Sequence, residues 1–288
     1  MKKFIIRAGI FLLIISIIYI PYKSYIILSG KYIQNLDINA KGVYHSISKS
    51  KKKKKVKKLL IGDSVANQLY NNTVYNDSIY SLTCNQAITV AGHYFLLNNF
   101  IDTNKDELPE EVIFLYSPVS LMNNLDKYSF PYLLKPFYNK EYKPLIDTYL
   151  SERIKTIPLY FISQIPLVRT SNYTPEKFYT PKEERFSGRF SPLTKDYLKK
   201  IEQLCKDNNI KFRFEPSPIS KSNWDNLKLS EKNIDYPIDT VTVDNYFHKI
   251  KYYEDSLFVD DIRVHFKQQY IPTDFLNLKG EKRELETK

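Results

Sequence analysis

The chain has 288 residues, of which 43% are hydrophobic and 26% are charged, so it is long enough to bury one sizeable core. Its 17 Phe and 24 Tyr exclude disorder throughout, its two Cys exclude a fold stapled by disulfides, and its 7 Gly exclude a collagen-like fold. A single long apolar run excludes a multi-pass membrane protein.

The formal net charge of +11 is concentrated near the N-terminus. Residues 1–58 contain 14 Lys and Arg but only one acidic residue, Asp37, and the rest of the chain is close to neutral. A domain that binds DNA or RNA normally has a basic face of its own. No such face and no nucleic-acid motif follows residue 58, so we expect no nucleic-acid partner.

The first predicted element is an apolar helix. Residues 8–20 carry no charge, and apolar neighbours extend the run over residues 4–28. A helix over 4–20 would span about 25 Å, close to the bilayer core of about 30 Å. A cleaved signal peptide is the alternative, but the segment has no A-x-A-like cleavage site. We therefore predict a transmembrane anchor over residues 1–30, which contacts the membrane through residues 4–28.

Charges around this span predict its orientation. Lys2, Lys3 and Arg7 precede it, which favours an N-terminus inside the cytoplasm and a domain outside. We therefore expect a single-pass protein of a bacterial inner (cytoplasmic) membrane that faces the periplasm or the exterior. The Lys-rich residues 31–58 are predicted to be a solvated linker, with a patch for anionic lipid or glycan as the alternative. A cytoplasm-facing domain held at the membrane by this Lys run remains a further possibility.

After residue 58, apolar strands alternate with helical patterns. The predicted strands are 56–61, 78–83, 112–116, 210–214 and 257–259, and the predicted helices are 86–100 and 192–207. This alternation predicts an α/β fold with a mainly parallel central sheet. We expect one α/β domain over residues 59–288, with an irregular, aromatic-rich insertion at about 125–190.

The strongest chemical signal is LLIGDSVANQL at residues 59–69. An apolar strand runs into Gly62, Asp63 and Ser64, and a helix is predicted to follow. Ligands of open parallel sheets bind at the carboxyl ends of the strands. A Ser at this turn would have its amide at a helix N-terminus, where a developing oxyanion is stabilised. Ser64 is therefore the candidate nucleophile.

A candidate general base lies in LFVDDIRVHF at residues 257–266. His265 comes shortly after the last predicted strand, and Asp261 and Asp260 precede it by four and five positions. Each of the other three histidines is better explained by a structural or solvent-exposed role: His45, His93 and His248.

These motifs resemble those of the SGNH/GDSL hydrolase family. Its nucleophile is the Ser of a GDS motif, and its Asp and His lie close together near the C-terminus, usually as D-x-x-H. The resemblance implies an SGNH- or flavodoxin-like three-layer sandwich. It also implies that Ser64 is the nucleophile and His265 the base. Asp261, or alternatively Asp260, would orient the imidazole, although neither reproduces the spacing of the family.

The two middle motifs of the family match less closely. The second is an Asn followed about five residues later by Gly; here Asn85 is followed by Val90 at that position and by Gly92 two residues later. The third is G-x-N-D; here Val119 stands where Asn is expected, and Asn123 follows a turn later. The resemblance implies oxyanion or substrate contacts from Gly92, Asn123 and Asn85.

The resemblance and the anchor together imply a membrane-anchored esterase or acyltransferase. Its substrate would be the acyl groups, acetyl foremost, of a cell-envelope polysaccharide, or an acylated small substrate. The alternative is a catalytically inactive SGNH-like envelope protein that binds a glycan or a polysaccharide-biosynthesis partner, which the departures at Val90 and Val119 favour. No cofactor and no metal are expected, because Cys84 and Cys205 are isolated and no His or carboxylate pair has ligand spacing.

Overall fold

The structure is a computed structural model, and it describes residues 1–28, 38–70, 79–125, 136–137, 141–155, 190–227, 240–259 and 265–272. Most of the insertion predicted at about 125–190 lies outside the described residues, as do Asp260 and Asp261.

The central sheet has four strands in the order β2-β1-β3-β4. They are β1 Lys58–Gly62, β2 Ile79–Ser81, β3 Glu111–Tyr116 and β4 Lys211–Pro216. All three pairings are parallel, which confirms the predicted α/β class with a mainly parallel sheet. Every residue of β3 is buried, as expected for an inner strand of a parallel sheet.

Helices precede, connect and follow these strands in the described part of the chain. They are α1 Lys2–Leu28, α2 Ile38–Ser50, α3 Ser64–Leu69, α4 Thr89–Thr103, α5 Thr148–Lys155, α6 Pro192–Asp207, α7 Lys221–Asp225 and α8 Thr240–His248. A second, two-stranded parallel sheet pairs β5 Ile219–Ser220 with β6 Tyr252–Tyr253. The predicted helix at 192–207 begins as expected, because the Ser191 side chain accepts a hydrogen bond from the Thr194 amide.

Apolar side chains cover both faces of the central sheet, because successive residues of a strand point to opposite faces. One face packs against α2, α4 and α6, and it includes Leu59, Ile61, Val112 and Phe114. The opposite face packs against α3 and a C-terminal segment, and it includes Leu60, Ile113, Leu115, Phe258 and Phe266.

Helix α2 occupies much of the segment that was predicted to be a linker. Val43 on this helix is fully buried in the core. Ser46 Oγ donates a hydrogen bond of 3.0 Å to the Thr83 carbonyl. Ser50 Oγ accepts one of 3.0 Å from Asn99 Nδ2. The described part of α2 therefore packs against the body, from Val43 onwards.

The direction of α2 determines where the chain enters the body. Ser46 contacts Thr83, just beyond the carboxyl end of β2, whereas Lys49 later in the helix donates to the carbonyl of Ser81 within β2. The helix thus runs antiparallel to β2. The N-terminal end of α2 therefore lies towards the carboxyl edge of the sheet, where β1 ends in Gly62.

Helix α1 agrees with the predicted anchor. Among the described residues, its segment Lys2–Tyr22 is the one helix that is long and apolar enough to cross a membrane, by length and composition. Its large side chains are exposed to the surroundings rather than packed in the body. An apolar helix of this kind is suited to a lipid environment.

Candidate active site

The turn that holds Ser64 requires a glycine. Gly62, at the end of β1, has φ 157°, and a Cβ there would lie 2.1 Å from the Leu115 carbonyl oxygen and 2.7 Å from Ala66 Cβ. Only a residue without a side chain lets β1 run this close to β3 and turn directly into α3.

Asp63 caps α3 and joins two strand ends. Its Oδ1 accepts hydrogen bonds from the amides of Val65 and Ala66 at 3.0 and 3.2 Å, and its Oδ2 accepts one of 2.8 Å from the Ser117 amide. The side chain is completely buried. Burial raises the pKa of this carboxyl above its usual value, while the three amides and the charge of His265 lower it and so offset part of that rise.

Ser64 and His265 meet at the carboxyl edge of the sheet. The His265 Nε2 atom lies 2.9 Å from Ser64 Oγ, which is hydrogen-bond distance. In the tautomer with the proton on Nδ1, Nε2 accepts the hydroxyl proton. This is the geometry that a general base needs to activate a serine nucleophile.

The segment that carries His265 is not built as the sequence predicts. The apolar residues 257–259 were expected to form a strand, but a 3₁₀ turn, Asp255–Leu257, is followed by a single antiparallel bridge between Phe258 and Phe266. The Val259 amide donates to the His265 carbonyl at 2.9 Å. The strand prediction is wrong because these apolar residues pair with the His265 segment and not with the sheet.

Packing fixes this segment against α3. The rings of Phe258 and Phe266 stack with centroids 4.6 Å apart, and both lie in the same core cluster as Val65 and Leu69 of α3. His265 therefore directly precedes a buried Phe258–Phe266 pair whose apolar side chains also pack against α3, the helix that begins with Ser64.

Gln68 forms a polar link to the same segment. Its Nε2 donates to the Phe266 carbonyl at 2.8 Å, and its Oε1 accepts from the Phe266 amide at 2.9 Å. Sequence reasoning missed this residue. The one signal that could have indicated it is its spacing of four residues from Ser64, which places both on one face of a helix.

The Ser64 amide is the best candidate for an oxyanion donor. It stands at the first position of α3, where helix geometry provides no carbonyl acceptor. It donates no hydrogen bond to another of the described residues. An amide in this position, at the positive end of a helix, can stabilise an oxygen that becomes negative during acyl transfer.

The structure gives Gly92 a role in packing. It lies inside α4, where its amide belongs to the helical hydrogen-bond ladder, a setting that differs from the oxyanion contact that the resemblance implies. A Cβ on Gly92 would lie 2.6 Å from Ile88 Cβ, so the absence of a side chain allows the first turn of α4 to pack.

Asn85 and Asn123 stabilise the turn before α4. Asn85 Oδ1 accepts a hydrogen bond of 2.8 Å from the Ala87 amide and thereby caps a 3₁₀ turn, Gln86–Ile88. Asn123 Nδ2 donates to the Gln86 carbonyl at 3.1 Å. These contacts differ from the substrate contacts that the resemblance implies for the two residues.

Thr89, the first residue of α4, has a backbone conformation that is rare for residues other than glycine. Its φ is 57° and its ψ is 178°, a combination that is essentially confined to Gly, and its side chain is fully buried. A β-branched residue in such a conformation costs of order 1–3 kcal/mol. Thr89 follows Asn85 by four residues and directly precedes Val90, which stands at the glycine position of the second motif. Nothing in the composition of the segment indicated this conformation.

Three other potentially reactive side chains in the described part of the chain are buried: Cys84, Cys205 and His93. Burial raises the pKa of the Cys84 and Cys205 thiols to about 12, so neither is a ready nucleophile. His93 is buried against the rings of Phe114 and Tyr116. Among the described residues, no three His, Cys, Asp or Glu side chains are grouped to hold a metal ion.

No protein-family model, no curated protein and no solved structure matches this chain. The similarity to the SGNH/GDSL family therefore stays a prediction from the sequence motifs.

Proposed function

We propose that the chain is an SGNH-like serine esterase or O-acyltransferase, with Ser64 as the nucleophile and His265 as the general base. The observation that carries this proposal is the 2.9 Å distance between Ser64 Oγ and His265 Nε2 at the carboxyl edge of a parallel sheet. A sheet with apolar residues buried on both faces also supports the three-layer architecture of that family.

In the proposed reaction, Ser64 Oγ attacks the acyl carbonyl while His265 Nε2 takes the hydroxyl proton. The Ser64 amide donates a hydrogen bond to the oxygen that becomes negative. His265 then gives the proton to the leaving alcohol, and an acyl-Ser64 ester remains. Water releases the acyl group as a carboxylate in hydrolysis, and a sugar hydroxyl accepts it in transfer.

A carboxylate would complete the triad by orienting the imidazole. Asp261, or alternatively Asp260, is proposed for this role because both lie within five positions of His265. Asp63 adds a buried carboxylate whose charge acts on His265. A negative charge at this place favours the imidazolium that forms when the base takes the proton.

The proposed substrate is an acyl group, acetyl foremost, on a cell-envelope polysaccharide. The arrival of α2 at the carboxyl edge supports a substrate near the membrane. From Leu28 to Ile38 the chain can reach at most about 35 Å, which limits how far α2 can lie from the anchor. We propose that this edge faces the periplasm or the exterior, close to the outer surface of the inner membrane.

Hydrolysis of a small activated ester tests the proposal. The full-length protein in detergent is expected to release acetate from p-nitrophenyl acetate, and Ser64→Ala is expected to abolish the release. Ser256→Ala is the matched control, because this serine is exposed and lies in the turn before the His265 segment. Equal turnover in the two variants, or none in the wild type, would refute the catalytic assignment.

A glycan-binding protein without catalysis is the second candidate. Two departures from the family motifs favour it. Asn123 Nδ2 donates to the Gln86 carbonyl and not to a substrate, and Val119 stands where the third motif has Asn. A wild-type protein without Ser64-dependent turnover that nevertheless binds acetylated envelope polysaccharide in calorimetry would establish this candidate.

A further inference from the structure

We infer that Gln68 is a positioning residue that sets the distance between Ser64 Oγ and the His265 imidazole, an inference that rests on the proposed function. Gln68 acts through the main chain of Phe266, the residue next to His265.

The contact has two points. The carboxamide of Gln68 donates to the Phe266 carbonyl at 2.8 Å and accepts from the Phe266 amide at 2.9 Å. The nitrogen of that amide is bonded directly to the carbonyl carbon of His265. Two hydrogen bonds to one residue fix both the position and the orientation of its backbone, whereas a single bond leaves it free to rotate.

The nucleophile and this contact share one rigid element. Ser64 and Gln68 both lie on α3, a helix of only six residues, and a spacing of four places them on the same face. Asp63 caps the helix through two of its amides. Any displacement of α3 therefore moves the hydroxyl and the carboxamide together, and the His265 segment moves with them.

The apolar contacts of the segment hold it in the core beside α3 independently of Gln68. The Phe266 ring is 1% exposed, stacks on Phe258 and lies edge-on to Tyr253. The Lys267 amide donates to the Leu257 carbonyl at 2.8 Å. These contacts keep the segment folded in the core, so loss of the Gln68 side chain should leave the fold intact while it loosens the link to α3.

Proton transfer depends steeply on the distance that Gln68 sets. A general base works at heavy-atom distances of about 2.6–3.2 Å, and a misplacement of about 1 Å can lower a rate about 100-fold. Since Gln68 is proposed to act on the base rather than on the substrate, its loss should lower kcat and leave KM nearly unchanged.

The chemistry of the side chain provides a sharper readout. In Gln68→Glu, a protonated carboxyl can still donate to the Phe266 carbonyl and accept from its amide. An ionised carboxylate accepts from the amide but cannot donate to the carbonyl. The kcat of Gln68→Glu relative to wild type should therefore fall as pH rises through the pKa of the new carboxyl, whereas the ratio for Gln68→Ala should not depend on pH.

The experiment uses the full-length protein in detergent and combines kinetics with hydrogen–deuterium exchange of the peptide that contains Phe266. Asn67→Ala is the matched control. Asn67 also has a carboxamide side chain and lies on the same helix, but it accepts a hydrogen bond from Thr83 Oγ1. Gln68→Ala should lower kcat about 10- to 100-fold, change KM by less than about threefold and accelerate exchange at Phe266. Asn67→Ala should change none of the three.

The two readouts separate this inference from the proposed function. A wild type that hydrolyses no ester would refute the proposed function, and exchange would then decide alone whether Gln68 holds the segment. Faster exchange in Gln68→Ala upholds the inference in that case. Unchanged exchange, or a kcat equal to that of Asn67→Ala in an active enzyme, overturns it.

Discussion

The buried carboxylate of Asp63 accepts a hydrogen bond of 2.8 Å from the amide of Ser117, and this bond ties the end of β1 to the end of β3. The other oxygen of the same carboxylate caps the helix that begins with Ser64. One side chain thus holds Ser64 and its helix in place relative to the sheet.

Replacement of this carboxylate by an amide tests that role. In Asp63→Asn, one acceptor oxygen becomes an NH₂ group that faces a backbone N–H, so a buried amide loses its partner. We expect the free energy of unfolding to fall by about 1–3 kcal/mol in chemical denaturation, with a parallel loss of esterase activity. Asp102→Asn is the control, since Asp102 is exposed near the end of α4. Equal stability of the two variants would contradict the role.

Acid should destabilise the protein through His93. This side chain is fully buried, and burial lowers its pKa from 6.5 to about 3. Between pH 6.5 and pH 3, His93 is protonated in the unfolded chain but stays neutral in the folded state. The free energy of unfolding that this histidine contributes above pH 6.5 is therefore lost as pH falls towards 3. The contribution that is lost between pH 7.5 and pH 5 should be about 2 kcal/mol.

Comparison of two variants isolates this effect from the titration of carboxylates. Between pH 7.5 and pH 5, the free energy of unfolding should fall less in His93→Phe than in the wild type. His248→Phe, at an exposed position, should keep the wild-type dependence. Parallel pH profiles for wild type and His93→Phe would show that His93 is not the group responsible.

Truncation should show where the folded body begins. Val43 and Val56 are buried in the core although both precede residue 59. A fragment of residues 59–288 loses both, and their burial is worth about 3–6 kcal/mol, a large part of the total stability of a typical domain. We expect the fragment 38–288 to unfold cooperatively and 59–288 to unfold at a much lower temperature or to aggregate. Equal melting temperatures would place the boundary at 59 after all.

Reporter fusions test the orientation of the anchor. Because Lys2, Lys3 and Arg7 precede the span, alkaline phosphatase fused to the C-terminus should be active, and a cytoplasmic reporter at the same place should not. The reverse pattern would put the domain in the cytoplasm, held at the membrane by its Lys run. Reversal of the charges at residues 2, 3 and 7 should weaken the predicted orientation.

Sequence reasoning succeeded where one local pattern determines the structure. The apolar runs that became β1, β3 and β4 can be buried only in a covered sheet, and the helix that starts at Pro192 has both a cap and a proline to begin it. The strand that runs into Gly62 likewise indicated the place of Ser64.

Sequence reasoning failed where distant residues determine the structure. Lysines dominate the segment around α2, and nothing local shows that Val43 is buried by the body. Residues 257–259 have the composition of a strand, but their partner is the His265 segment. The sequence around Gln68 and Thr89 shows nothing unusual. Gln68 is distinguished only by its contact with Phe266, and Thr89 only by its backbone angles.

The central claim is that His265 activates Ser64 as a nucleophile, and covalent labelling tests it most directly. The full-length protein is treated with a fluorophosphonate, and the rate at which the probe mass appears on the Ser64 peptide is measured by mass spectrometry. The account predicts labelling of Ser64 in the wild type and in His248→Ala, none in Ser64→Ala, and labelling at least about 100-fold slower in His265→Ala. An unlabelled Ser64, or a Ser64 labelled equally fast without His265, would contradict the account.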